Sequence, residues 1–363
     1  MAERRDSFAT IEAGRGIAAL LVVAYHAGKV AANPAYWGAV PFGGAFTCGH
    51  AGVEFFFVLS GFIIAYVHGG DIGRRERLRR FAARRFDRIY PLYWLVLAPL
   101  TVLAVVGPRI ASLAHVDGGA VVSSLLLVGP DAHAGVLTVS WTLFHEMLFY
   151  AAFGLLIVNR RAGIATLVLW AGLVLWAGLT GAGVGGVPSY VASPLNLLFG
   201  VGALVRVAMG RGLVRHPPPW LAGGVTAFAA LAAEEVTASL LGDTARNLGY
   251  GIASAVALAG AVAWEQRRRL AVPLPLRPLG AASYSIYLVH YPALSAVAVV
   301  LRRAGATAAL PASAGAVTLI AAVVLLGLAL HRWVETPLLA ALRRLRARQV
   351  KTVPPIAPEP RPA

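Results

Sequence analysis

The chain has 363 residues, of which 58% are hydrophobic and only 13% charged, and its mean hydropathy is +0.71; too few polar side chains remain to cover a water-exposed surface, which excludes an ordinary soluble domain. A formal net charge of +16 would point to nucleic acid in a soluble protein. Here the basic residues sit in short stretches between apolar runs, where membrane topology and anionic lipid account for them, and no nucleic-acid partner is expected.

Ten mainly apolar segments follow one another, at 11–29, 53–68, 90–107, 140–158, 163–180, 191–208, 220–240, 248–264, 283–301 and 312–330. Each is close to the length that crosses roughly 30 Å of hydrocarbon as a helix. The predicted fold is an all-α polytopic membrane bundle of about ten transmembrane helices. Of the 32 Lys and Arg, only Lys29, Arg109, Arg246, Arg302 and Arg303 fall on the side opposite the N-terminus. That asymmetry predicts both termini inside. The basic Met1 to Arg5 stretch before the first run imitates a secretory signal, but Arg15 and His26 within the run mark it as a retained anchor.

Between the spans, the outer stretch 108–139 carries an apolar patch at 121–128, too short to cross, which is expected to be re-entrant or interfacial. Residues 1–340 are expected to form the transmembrane domain. Residues 341–363 are expected to form a basic, proline-rich cytoplasmic tail, unfolded beyond Arg348 where Pro354, Pro355, Pro358, Pro360 and Pro362 gather. Cys48 is the only cysteine, so no intrachain disulfide and no cysteine-ligated cluster is expected.

Candidate chemistry begins in the first span. Arg15 and His26 are eleven residues apart, about three helical turns, so they share one helix face roughly 16 Å apart along the axis. Ionisable groups in a membrane span cost about 2.5–3.5 kcal/mol each on insertion scales, which makes them markers of function. Glu146, six residues inside the fourth span, falls at the depth of His26. A neutral histidine held by a carboxylate is the usual base for deprotonating a hydroxyl; a purely structural His–Glu pair satisfies the same pattern. The loop Arg74 to Arg88 holds eight arginines and no lysine, which favours forked recognition of phosphate. Arg85 and Arg88, three apart and next to the third span, are the candidates for specific ligands.

Glu54 stands at the outer mouth of span two as a secondary acid, and Ser60-Gly61 is a small step where helices approach closely. In span nine, Tyr284, Tyr287 and Tyr291 form one stripe with His290 beside it, a polar stripe that cannot face lipid. His145 adjoins Glu146 but points about 100° away. No histidine pair has a metal-binding spacing, so no metal is expected.

Several motifs occur together in order: Arg15 with His26, Phe56-Phe57-Val58-Leu59-Ser60-Gly61-Phe62, Arg85-Phe86-Asp87-Arg88-Ile89-Tyr90-Pro91, Trp141-Thr142-Leu143 with Glu146 and Tyr150, Ser283-Tyr284-Ser285-Ile286-Tyr287-Leu288-Val289-His290, and Glu335-Thr336-Pro337. Through them the chain resembles the acyltransferase 3 family of integral-membrane acyltransferases, from about Phe8 to Pro337, and the Trp141 to Tyr150 version looks most like its exopolysaccharide acetyltransferase branch. Departures are Glu54, where aspartate is frequent, and Phe144-His145 before Glu146.

The resemblance implies transfer of an acyl group, commonly acetyl, from cytoplasmic acyl-CoA to a hydroxyl of a carbohydrate or its lipid-linked precursor in a bacterial inner (plasma) membrane, alongside polysaccharide-synthesis partners and with no permanently bound cofactor. It implies that Arg15, Arg85 and Arg88 bind the donor and that His26, oriented by Glu146, is catalytic, either as a base toward the acceptor hydroxyl or through an acetyl-imidazole intermediate. Ser60, Trp141 and Tyr287 are oxyanion candidates, with His290 in the same groove. A macrolide or other small-metabolite acceptor is the alternative of the same chemistry; a non-enzymatic transporter or binding protein is the alternative of another class.

Overall fold

A computed structural model describes residues 8–106, 117–181, 187–267 and 270–351. Arg4, Arg5, Arg109, Arg268, Arg269 and the prolines of the tail lie outside the described residues. Among the described residues the helices in chain order are α1 (Ala9–Ala32), α2 (Gly52–His68), α3 (Leu78–Val106), α4 (Gly118–Leu126), α5 (Trp141–Val158), α6 (Arg160–Thr180), α7 (Leu197–Gly210), α8 (Pro217–Thr237), α9 (Asp243–Gln266), α10 (Leu276–Ala281), α11 (Ser283–Arg303), α12 (Ala306–Ala309), α13 (Ala312–Leu330) and α14 (Thr336–Lys351). There is no strand among them, and a π-helical turn, His331–Glu335, joins α13 to α14. The fold is an all-α polytopic bundle.

A helix stands at each of the ten expected spans, and eight helical stretches of the described residues are long and apolar enough to cross a membrane. The two that fall short have visible reasons. α7 is only 14 residues long, and α8 carries Glu234 and Glu235 near its end. The boundary expected at 340 falls inside α14, which continues to Lys351.

Two packed cores organise the bundle. The larger joins α2, α3, α5, α7 and α9 through side chains such as Phe57, Phe62, Tyr93, Phe153 and Phe199. The smaller joins α1 to α11 and α13 through Ala19, Val23, Ile286, Leu294, Leu319 and Val323. Glycine sets the closest approach: a Cβ on Gly61 would run into the Phe199 carbonyl oxygen, and one on Gly202 into that of Val58. The Ser60-Gly61 step is therefore where α2 and α7 pack backbone to backbone. Away from the cores the surface is apolar, as on α6, where Leu169 and Leu179 are 73% and 87% exposed. Lipid can cover such a face because the helix satisfies its own backbone.

Helix ends find partners far away in sequence. Phe8 offers α1 no side-chain cap. Instead the Glu265 carboxylate on α9 accepts from the Ala9 and Thr10 backbone N–H groups, each at 2.9 Å, and from the Thr10 hydroxyl. An anion at a helix start satisfies orphan donors and complements the helix dipole. The apolar patch expected at 121–128 forms α4. Its last carbonyls, on Ser124, Leu125 and Leu126, accept from Tyr93, Trp94 and Tyr90 of α3 at 2.8–2.9 Å. Those three donors sit near the middle of α3, so α4 lies against the centre of that helix.

Candidate active site

His26, on α1, meets α11 rather than α5. His290 Nδ1 lies 2.5 Å from the Tyr287 carbonyl oxygen, which only accepts, so that nitrogen carries the proton and His290 Nε2 is an acceptor. His26 Nδ1 lies 2.9 Å from the Val22 carbonyl and 3.3 Å from His290 Nε2. The network thus assigns the His26 proton to Nδ1 and leaves a lone pair on its Nε2. His290 is fully buried and His26 partly so, and the rings of Tyr25 and Tyr291 pack on His26 at 4.9 Å.

Glu146 is not the group that orients His26. Its Oε1 accepts from the Ser60 hydroxyl at 3.2 Å and from the Tyr150 hydroxyl on its own helix. The expected pairing failed because equal depth does not specify position around the bundle. Tyr150, one turn along α5, and Ser60, across on α2, reach the carboxylate first. His26 faces the α11 side, where α1 packs.

A cavity of about 690 Å³ runs between α2, α3, α5, α11 and α14. One end is lined by Arg84, Arg85, Arg88, Arg343 and Arg346; the other by Phe56, Ser60, Thr142, Glu146 and Tyr287. Arg15 lies on its wall, its Nε donating to the Ser283 hydroxyl at 3.0 Å. His26, His290 and Trp141 are not among the lining residues. Tyr287 connects the two places: its ring faces the cavity, while its carbonyl holds His290, whose ring in turn lies 4.8 Å from that of His26.

The oxyanion candidates separate on hydrogen-bond accounting. Tyr287 donates its one proton to the Val139 carbonyl at 2.9 Å and accepts from Thr142 at 2.8 Å. Ser60 donates to Glu146. Both hydroxyls line the cavity with their protons already committed. Trp141 packs against His133 and Phe57 instead.

The two loop arginines also differ. Arg88 Nη1 is paired at 3.0 Å with Glu335, a 1% exposed carboxylate that also takes hydrogen bonds from Ser285 at 2.7 Å and His331 at 2.8 Å. The π turn places Glu335 there. Arg85 has no carboxylate partner among the described residues; its guanidinium lies 5.8 Å from the centre of the Tyr150 ring, and its Nε is buried without a hydrogen bond. Arg88 is tied to a carboxylate, whereas Arg85 rests against Tyr150 with its charge uncompensated by an ion pair among the described residues.

Glu54 lies off the cavity, in a second cluster. His50 Nδ1 is 3.5 Å from Glu54 Oε1 and His50 Nε2 is 3.1 Å from Glu235 Oε1, while the Tyr250 hydroxyl donates to Glu235 at 2.8 Å. His145 is structural: its Nδ1 donates to Asn196 at 2.8 Å, and Asn196 donates onward to the Tyr190 and Val191 carbonyls. Among the described residues no three His, Cys, Asp or Glu side chains come together in a way that could hold a metal ion. The site residues that sequence reasoning did not assemble are Glu335, Arg84, Arg343 and Arg346. The signal that pointed toward one of them, Glu335, was the Glu335-Thr336-Pro337 motif.

Residues 8–332 match the acyltransferase 3 family, described as an acyltransferase domain. The chain is 34% identical over 320 residues to the exopolysaccharide production protein ExoZ of Rhizobium meliloti (strain 1021), covering 84% of this chain and 93% of that one. It is 29% identical over 353 residues to the acyltransferase MdmB of Streptomyces mycarofaciens, covering 87% and 86%. No solved structure matches. With its bundle of apolar helices and an arginine-lined cavity running into it, the chain belongs to the acyltransferase 3 family, close to an exopolysaccharide-production branch, and is an integral, multi-pass membrane acyltransferase.

Proposed function

We propose that this enzyme moves an acetyl group from acyl-CoA to a hydroxyl of an exopolysaccharide or its lipid-linked precursor in the bacterial inner membrane. The observation that carries the reading is the cavity, cationic at one end and ending beside Tyr287, one side chain short of the His26–His290 pair. The donor phosphates occupy the arginine end, and the thioester arm follows the mixed apolar wall past Arg15 toward the Glu146 layer. The acceptor is supported by the likeness to an exopolysaccharide production protein.

In this reading His26 Nε2 takes the proton of the acceptor hydroxyl as its oxygen attacks the thioester carbonyl. The C–O bond forms, the C–S bond breaks, and the proton passes from His26 to the departing thiolate. His290 is a positioning residue that holds His26 in the required tautomer, the task a carboxylate performs in the familiar triad. The attack requires the acceptor hydroxyl to reach both His26 Nε2 and the thioester carbonyl across the Tyr287 layer, so the Tyr287 side chain moves or the acceptor bridges that layer.

The test is acetyl transfer from labelled acetyl-CoA in membranes of a deletion strain complemented with the gene, read as the acetyl mass increment on surface polysaccharide. Restoration of the increment by the wild-type chain is expected. Acetylation that persists in the deletion strain, or that is independent of acetyl-CoA, would sink the proposal.

A further inference from the structure

The arginine end of the cavity is completed by a helix that lies beyond the family match, which ends at residue 332. α14 contributes Leu339, Leu342, Arg343 and Arg346 to the lining, opposite Arg84 and Arg85 of α3. A two-pronged contact fastens the helix to α3. Arg346 Nε lies 2.7 Å from Asp87 Oδ2, and its Nη2 donates to Asp87 Oδ1 at 2.7 Å, the forked geometry that makes an arginine–carboxylate pair both strong and directional.

Of the arginines around the opening, two are neutralised: Arg346 by Asp87 and Arg88 by Glu335. Arg84, Arg85 and Arg343 have no carboxylate partner among the described residues, and the cavity's remaining acid, Glu146, is bound to the Ser60 and Tyr150 hydroxyls, with the Tyr150 ring between it and Arg85. Three like charges around one opening repel each other, and an anion entering between them relieves that repulsion. Arg343 is three residues from Arg346, hence on the same helix face, so the clasp that fastens α14 also aims Arg343 at the opening.

We propose that Arg343, carried to the cavity mouth by the Asp87–Arg346 clasp, binds a phosphate of the nucleotide half of the acyl donor together with Arg84 and Arg85. The inference rests on the acyl-CoA reading above. It makes α14 a wall of the donor site and not a tail.

The experiment uses the full chain in detergent, with two readouts: KM against kcat for acetyl-CoA, and inhibition by adenosine 3′,5′-bisphosphate, the phosphate-bearing half alone. Arg343→Ala is expected to raise KM and the inhibition constant in parallel by about fivefold to tenfold, at a kcat that stays within about twofold. Arg343→Lys recovers part of both. Asp87→Ala, which releases α14, produces a similar rise, and the double variant adds little to either single one because both act on the same contact. An unchanged inhibition constant in Arg343→Ala overturns the proposal, whether or not KM moves. Wild-type protein that neither uses acetyl-CoA nor is inhibited by the bisphosphate overturns the donor reading itself, and this inference with it.

Discussion

Two histidine clusters flank Tyr25, and they are built in opposite ways. On one side His26 faces another neutral imidazole and a backbone carbonyl, with no carboxylate on either ring nitrogen and its Nε2 lone pair uncommitted. On the other side His50 has a carboxylate facing each nitrogen, Glu54 at 3.5 Å and Glu235 at 3.1 Å. Tyr25 touches both rings, at 4.9 Å and 5.7 Å. A base needs a free lone pair and a fixed opposite nitrogen. His26 has both, whereas His50 ties α2 to α8 and to Tyr250 on α9. Proximity to carboxylates, the feature that first suggests catalysis in a sequence, here marks the structural histidine.

The largest effect that distinguishes the two is expected from His26→Ala, which should lower kcat by about 10³-fold or more while leaving the protein in the membrane at normal levels. Transfer assays with labelled acetyl-CoA check this; near-normal turnover would dissolve the contrast. Next, His290→Ala should cost on the order of 30-fold, because the His26 tautomer is then held by the Val22 carbonyl alone. His290→Gln, whose amide oxygen offers an acceptor in place of Nε2, should regain part of the loss, a rescue that a packing role would not produce.

For the other cluster the expected loss is in stability. His50→Leu leaves Glu54 and Glu235 without their shared partner and should destabilise the folded protein by about 1–3 kcal/mol, read as a lowered unfolding midpoint in detergent. The surviving folded enzyme should turn over within about twofold of wild type. Smallest of all, Tyr25→Phe keeps the ring between the clusters and removes only a hydroxyl that accepts from the exposed Lys29 at 3.0 Å. It should change both activity and midpoint by less than about 0.5 kcal/mol or twofold. A large effect there would mean the two clusters communicate.

Much of the bundle was legible in the amino-acid sequence because the relevant information is local. Length and apolarity of a run decide whether it crosses, and Ser60-Gly61 announced a close approach because small side chains are the only means of bringing backbones together. What could not be read was rotation about the bundle axis. His26 and His290 are 264 residues apart and meet because α1 packs on α11, a fact held in the fit of Val23 and Ile286 within one core and not in any spacing. The same ignorance hid the Arg88–Glu335 pair, which depends on a π turn that widens the chain just before α14. The helix over Thr336–Lys351 was hidden for a different reason: the prolines beyond it dominate the composition of the C-terminal stretch, while the arginine-rich part before them is helical.

The Glu265 clasp on α1 carries a consequence for biogenesis. The helix that holds Arg15 and His26 precedes the other described helices in the chain, yet the group that seats its first turn is 256 residues later. At roughly 5–20 residues per second, synthesis reaches that glutamate on the order of tens of seconds after α1 has emerged. Until then the first N–H groups of α1 lack the Glu265 carboxylate, and His26 is without its partner on α11. Under the mechanism proposed above, a chain synthesised only as far as α9 has no His290 to hold His26, so the base is not in place until α11 has joined the bundle.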